Sequence, residues 1–296
     1  MTQTQKGIIF VAIGAICFSA KAIFIKLAYA QYDVDDITLL TLRFGYALPI
    51  FILIAFWRYR KGALSLHTID KRDFGYIAIL SMLGYYWASW FDFKGLQYIS
   101  AGLERIILFI YPTLVVLFSR LFLKTRISKS ALIALGVTYF GVMIIAAEPR
   151  IFESENFAKG GAFILVSAVT YSLYLVFGGE LIKKYGSINF NSISMILSSL
   201  YVLIHFNLFS DVELKNVANG VHFYGILLAI VSTVIPTFMV MEGIKLLGAN
   251  RGSIVASIGP VSTIILAYIF LGEVLSLQEI IGSTLVLAGV LMIGRK

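Results

Sequence analysis

The chain has 296 residues, 59% hydrophobic and only 14% charged, with 24 Lys and Arg against 16 Asp and Glu for a net charge of +8. Soluble globules carry about 45–50% apolar residues, so a mean hydropathy of +0.90 excludes a water-soluble globule and leaves no room for a sizeable soluble domain. The basic residues are scattered through short loops rather than gathered on one face, which argues against a nucleic-acid partner and for a topology signal.

The apolar stretches run about twenty residues without period-two alternation, so helices are predicted rather than a barrel. Ten spans are expected, at about 7–28, 37–57, 74–98, 103–121, 129–147, 160–182, 189–209, 221–242, 252–271 and 278–294. Span one contains the single Cys17, read as a small core residue, and no cleavable signal pattern precedes it. Lys21 stands about 15 residues into that span, roughly 20 Å along the helix, with Ser19 nearby. A charge at that depth marks either a solute pathway or a paired structural group, and both readings stand for Lys21. Lys26 can snorkel to the outer interface. Asp33, Asp35 and Asp36 follow span one. In span two Arg43 comes after Thr38 and Thr41, placed either to pair with Asp35 or Asp36 or to meet a ligand.

Span three carries Tyr85, Tyr86, Trp87 and Trp90 at its middle, too deep for an interfacial belt. Tyr86 and Trp90, four residues apart, are expected on one face as a cavity wall. Asp92 and Lys94 end this span, and Glu104 and Arg105 open the next. They are expected to form an ion-pair network at the outer mouth that also serves as a gate. Pro112 in span four and Pro260 in span nine are expected to kink their helices as matched gating elements. In span six Tyr171 and Tyr174 are candidate cavity liners, and Glu180 lies near its inner end. His205 in span seven is a candidate proton-linked group, although a lone His is more often structural.

Basic clusters at Arg58, Arg60, Lys61, Lys71 and Arg72, at Arg120, Lys124, Arg126 and Lys129, at Lys183 and Lys184, at Lys245 and Arg251, and at Arg295 and Lys296 all fall on one side of a ten-span chain. The acidic loops with Asp33, Asp35 and Asp36 and with Glu148, Glu153 and Glu155 fall on the other. Both termini are therefore expected in the cytoplasm, in an inner or plasma membrane.

Shifted by half its length, the chain aligns 93–145 with 241–293 without a gap, pairing Gly95 with Gly243, Pro112 with Pro260, Phe122 with Phe270, Ser128 with Ser276 and Gly141 with Gly289. A weaker register pairs Gly7, Ser19 and Phe24 with Gly160, Ser172 and Phe177. Charge exchanges between the halves: Arg120, Lys124, Arg126 and Lys129 align with Tyr268, Gly272, Val274 and Leu277, whereas Gln97 and Leu103 become Lys245 and Arg251. Five spans per repeat invert the second copy, and the positive-inside rule then requires that exchange. The expected architecture is an all-α membrane protein of ten transmembrane helices, with inverted five-helix repeats over 1–147 and 148–296 around a central cavity.

This organisation, together with the run from Pro260 to Gly272 and Glu273, resembles the drug/metabolite transporter superfamily, specifically its EamA-type members, over essentially the whole chain. In the first half Lys124 and Thr125 stand where the Gly-Glu pair would be. The resemblance implies a basket of helices with spans five and ten peripheral, moving small metabolites by a facilitated or proton-linked route. An unpaired Lys21 with Arg43 and Arg105 above it makes the expected cavity positive. An anionic or zwitterionic solute follows, amino-acid-like or an organic acid, with its apolar part stacked on Trp90 and Tyr86. Protons as coupling ion and a homodimer are compatible with the sequence. No cofactor, metal cluster or Walker-type loop is read. The rivals are an intramembrane lipid-modifying enzyme, poorly supported by His67, His205 and His222, an exporter of amphipathic drugs, and a non-transporting scaffold or sensor.

Overall fold

The computed structural model describes residues 1–62, 69–125, 127–147, 156–272 and 276–294. His67, Arg126, Glu148, Glu153, Glu155, Glu273, Val274, Arg295 and Lys296, which enter the topology and motif readings above, lie outside the described residues. The described residues are helical throughout: α1 Gln3–Gln31, α2 Asp36–Arg60, α3 Lys71–Ser81, α4 Ala88–Tyr98, α5 Ala101–Leu108, α6 Tyr111–Leu123, α7 Lys129–Ala146, α8 Phe157–Tyr185, α9 Ser187–Phe209, α10 Asn219–Ala229, α11 Ile235–Leu247, α12 Ala249–Val255, α13 Gly259–Leu271 and α14 Leu277–Gly294. Seven helical stretches among them are long and apolar enough to cross a membrane. A 29-residue helix such as α1 exceeds the roughly 20 residues that a bilayer core requires.

Local chemistry sets the ends. Thr2 and Gln5 form a reciprocal capping box at α1, and Asp35 and Ser100 accept backbone N–H bonds at the starts of α2 and α5. The expected mid-helix kinks at Pro112 and Pro260 take a different form. Helix α5 stops at Leu108 and α12 at Val255, and each proline sits in the first turn of the following helix. Proline lacks an N–H, and a helix's first turn needs none.

Two wide turns were not evident from the sequence. The chain passes from α3 to α4 through a π-helical turn, Met82–Trp87, and from α10 to α11 through another, Ile230–Val234. Such a turn redirects the side chains that follow it and leaves carbonyls to other donors. Around the first, Ser198 donates to the Ser81 carbonyl at 2.9 Å and Ser167 to the Ala88 carbonyl at 2.7 Å. Within the second, Thr233 donates to the Leu228 carbonyl at 2.8 Å.

Helices α1 and α11, α4 and α8, α2 and α9, and α7 and α14 form the principal packed pairs. Backbones approach closely where glycine permits. A Cβ on Gly282 would stand 2.4 Å from the Gly141 carbonyl oxygen, and one on Gly141 would stand 2.5 Å from that of Gly282. This close approach holds α7 against α14.

Candidate functional site

A cavity of about 100 Å³ lies at the meeting of α1, α2, α4, α5, α8 and α11–α13, bordered by Lys21, Arg43, Asp92, Arg105, Tyr171 and Pro260. The helices carry these groups inward by their spacing. On α1, Ser19 and Lys21 lie among buried small residues, and Ser19 Oγ donates to the Ala15 carbonyl at 2.8 Å and across the helix interface to the Gly259 carbonyl at 3.0 Å. Ser19 is thus a clamp between α1 and α13.

Of the two readings left open for Lys21, the structure shows the paired one rather than the unpaired cation behind the expected positive cavity. Its ammonium contacts the Asp92 carboxylate directly and stands 3.7 Å from Glu104 Oε1. Glu104 Oε2 is 3.3 Å from Arg105 Nε, and the Arg105 guanidinium donates to the Phe18 carbonyl at 2.6 Å. Asp92 is 1% exposed and Glu104 0%. Each charge is costly in an apolar interior without its partners, and the pairing offsets that cost. The outer charged group expected from the sequence therefore forms in part, as a deep interhelical cluster of Asp92, Glu104, Arg105 and Lys21. Lys94 stands apart from it, its ammonium 5.4 Å from the Trp90 ring centre and 5.8 Å from that of Phe163.

Arg43 is 2% exposed. Its Nε donates to Thr233 Oγ1 at 2.6 Å and a terminal nitrogen to Ser89 Oγ at 3.2 Å. Its guanidinium carbon lies 5.1 and 5.5 Å from the ring centres of Phe44 and Phe93. No carboxylate lies within ion-pairing distance of it among the described residues, so of the alternatives left open for Arg43 the pairing with Asp35 or Asp36 does not form. Ser89 follows the first π turn and Thr233 lies in the second, so the two wide turns jointly hold this cation. Neither residue was singled out from the sequence. The adjacent Ser232 and Thr233 inside an apolar span were the available signal, but the face they occupy depends on the π turn.

The aromatic candidates separate. Tyr171 borders the cavity, where Tyr111 meets it edge to face with ring centres 5.7 Å apart. Tyr174 is fully buried against Tyr85, Phe190 and the backbone of Gly84, and serves as packing rather than as a cavity wall. Tyr86 and Trp90 do share a face, with planes 4° apart, but they do not border the central cavity. Tyr86 bonds His205 Nδ1 at 3.0 Å, and Trp90 donates to Asp36 at 3.0 Å. The extra residue of the π turn moves this pair away from the centre, toward α9. Pro112 is buried in the first turn of α6, and Pro260 reaches the cavity.

A largely apolar cavity that holds Lys21, Arg43, Asp92 and Arg105 among long apolar helices defines a multi-pass membrane protein with charged groups in its interior. The EamA-like transporter family matches residues 5–147 and again 158–295, and the chain belongs to that family. It is 32% identical over 286 residues to the uncharacterized transporter YcbK of Bacillus subtilis, covering 95% of this chain and 90% of that protein. An uncharacterized transporter of Archaeoglobus fulgidus is 27% identical over 275 residues, covering 92% and 94%. The uncharacterized inner membrane transporter YicL of Salmonella typhimurium is 21% identical, covering 99% and 96%. A solved crystal structure shares the fold, with a TM-score of 0.75 over 97% of this chain and 96% of that one at 15% identity. These names point to a small-molecule transporter in a membrane rather than to an enzyme.

Proposed function

We propose that the chain is a secondary transporter of ten spans in two inverted repeats, moving a small carboxylate-bearing solute by alternating access, with a zwitterionic amino-acid-like solute fitting best. The observation that carries the substrate class is Arg43. It is a buried guanidinium at the cavity, held by two hydroxyls and two aromatic faces rather than by an acid. Guanidinium binds carboxylate through paired hydrogen bonds. Asp92 borders the same cavity and offers a counter-charge to an ammonium. A simple anion engages Arg43 alone, whereas a zwitterion uses both ends, its ammonium taking the place of Lys21 at Asp92.

The repeat reading draws support from several directions. The spans α6 and α13, and likewise α7 and α14, start and stop 148 residues apart, half of 296. The two π turns begin at the same separation, at Met82 and Ile230. A Cβ on Gly243 would press to 3.0 Å of the Gly7 carbonyl, and one on Gly95 to 3.2 Å of the Gly160 carbonyl. These are equivalent contacts under the exchange of halves, because Gly7 aligns with Gly160 and Gly95 with Gly243. The family match itself falls in two parts.

Uptake into proteoliposomes of a panel of radiolabelled L-amino acids, with succinate and tetraphenylphosphonium alongside, tests the substrate class. At least one amino acid is expected to accumulate above protein-free vesicles, and Arg43→Gln is expected to lower its uptake at least tenfold. Transport of the lipophilic cation alone, or uptake indifferent to Arg43→Gln, would overturn the assignment.

A further inference from the structure

Two carboxylates share one ammonium, Asp92 in the cavity wall and Glu104 buried behind it, and they are not equally served. Asp92 receives Lys21 in direct contact. Glu104 lies 3.7 Å from the same Nζ and 3.3 Å from Arg105 Nε, yet neither of its oxygens has a hydrogen-bond partner and both are buried. The Arg105 guanidinium spends its short hydrogen bond on the Phe18 carbonyl. A buried anion without a donor is strongly disfavoured, and two carboxylates in one site do not both ionise readily; a proton on one of them relieves both penalties.

The elements packed against α5 carry other titratable groups. Lys21 comes from α1, Asp92 from α4 and Arg105 from α5 itself. Tyr171 of α8 borders the cavity, Tyr139 of α7 is bonded to Thr113 at 2.6 Å, and Tyr268 of α13 is exposed. None of these supplies a donor to Glu104.

We infer that Glu104 is the proton-binding site of this protein, protonated while Lys21 engages Asp92, and that Lys21 couples this proton to solute. The inference rests on the proposed zwitterionic solute. When the solute ammonium takes Asp92, Lys21 is displaced and needs to move only a few ångström to reach Glu104. The arriving ammonium makes the ionised form of Glu104 the better one, its O–H bond breaks, and the proton passes to water on whichever side the cavity faces. Beside the two carboxylates the entering ammonium replaces the departing proton, while the solute carboxylate is met by Arg43; the zwitterion adds no net charge, so each exchange moves one positive charge out of the site. Bound solute and bound proton therefore exclude one another, and the chain exchanges them across the membrane.

The test reads the proton itself. Infrared spectra of the full-length protein in phosphatidylcholine and phosphatidylglycerol vesicles at neutral pH are expected to contain a carbonyl stretch of a buried protonated carboxyl. It is expected to disappear in Glu104→Gln, to weaken in Asp92→Asn because Lys21 is then free to reach Glu104, and to shift but survive in Glu104→Asp, the variant that assigns the carboxyl to position 104 and guards against misfolding. Methylammonium, the amino end of such a solute, is expected to remove more than half of the band in the wild type, while tetramethylammonium, which has no N–H to donate, leaves it intact. A band that is absent from the wild type, or that survives Glu104→Gln, overturns the proton site. A band indifferent to methylammonium overturns the exchange. Failure of the amino-acid uptake panel with the band behaving as described would instead remove the transport reading and leave Glu104 as the proton site.

Discussion

Lys21 stabilises the interior only together with its acids. Removing one partner of a buried ion pair leaves a stranded charge at a cost of about 3–5 kcal/mol. Lys21→Met is therefore expected to lower the thermal midpoint of the purified protein by several degrees, because Asp92 and Glu104 lose the ammonium they share. Adding Asp92→Asn and Glu104→Gln to Lys21→Met is expected to restore most of the loss. A triple variant no more stable than Lys21→Met would show that the cluster contributes little as a charged unit. The sequence made Lys21 conspicuous as a charge deep in a span, and made Asp92, Glu104 and Arg105 conspicuous as neighbours. It did not bring the two sets together, because their meeting depends on α1 packing beside α4 and α5, a contact between residues 71 and 83 positions apart. Arg43 was visible as a charge, while its partners Ser89 and Thr233 depend on two π turns that no hydropathy pattern encodes.

At the scale of elements, most helices were legible because apolar length, basic ends and capping residues agree on where each begins and stops. The discrepancies come from backbone hydrogen bonding inside the spans. Hydropathy does not register the break between α5 and α6, the 3-10 turn between α12 and α13, or the wide turns beside α4 and α11. One end is suboptimal. Lys124 closes α6 at φ 52°, while its counterpart Gly272 closes α13 at φ 68°. A side chain in the left-handed region costs about 1–2 kcal/mol relative to glycine. Lys124→Gly is accordingly expected to raise the thermal midpoint by roughly 2 °C, while Gly272→Lys lowers it, both read by fluorescence-monitored unfolding in detergent. Equal and opposite shifts at the two positions would mean that the turns are equivalent in the folded protein. A fall on Lys124→Gly would mean instead that the lysine's charge at that end outweighs its backbone strain.

For the whole molecule, the contacts between halves differ in kind at the two ends. Toward one end Lys184 Nζ lies 2.5 Å from Asp73, Tyr185 donates to the same carboxylate at 2.5 Å, and Arg58 donates to Asn189 at 3.0 Å. Toward the other Tyr224 bonds Gln31 at 3.2 Å, Tyr46 bonds His222 at 2.8 Å, and Tyr32 meets Tyr224 edge to face. The first set lies beside the basic clusters that the positive-inside rule assigns to the cytoplasm, and the second lies beside Asp33, Asp35 and Asp36. Under the proposed alternating access these two sets would open in turn. An inverted ten-span arrangement fixes where each loop must appear. In a Cys17→Ser background, Asp211→Cys, in the loop between α9 and α10, is expected to react with an impermeant maleimide on intact cells. Lys61→Cys, just after α2, is expected to react only after permeabilisation. Because Lys61 and Asp211 belong to different halves, labelling of both from the same side would break the inversion, and with it the exchange of positive charge that motivates the two-repeat reading.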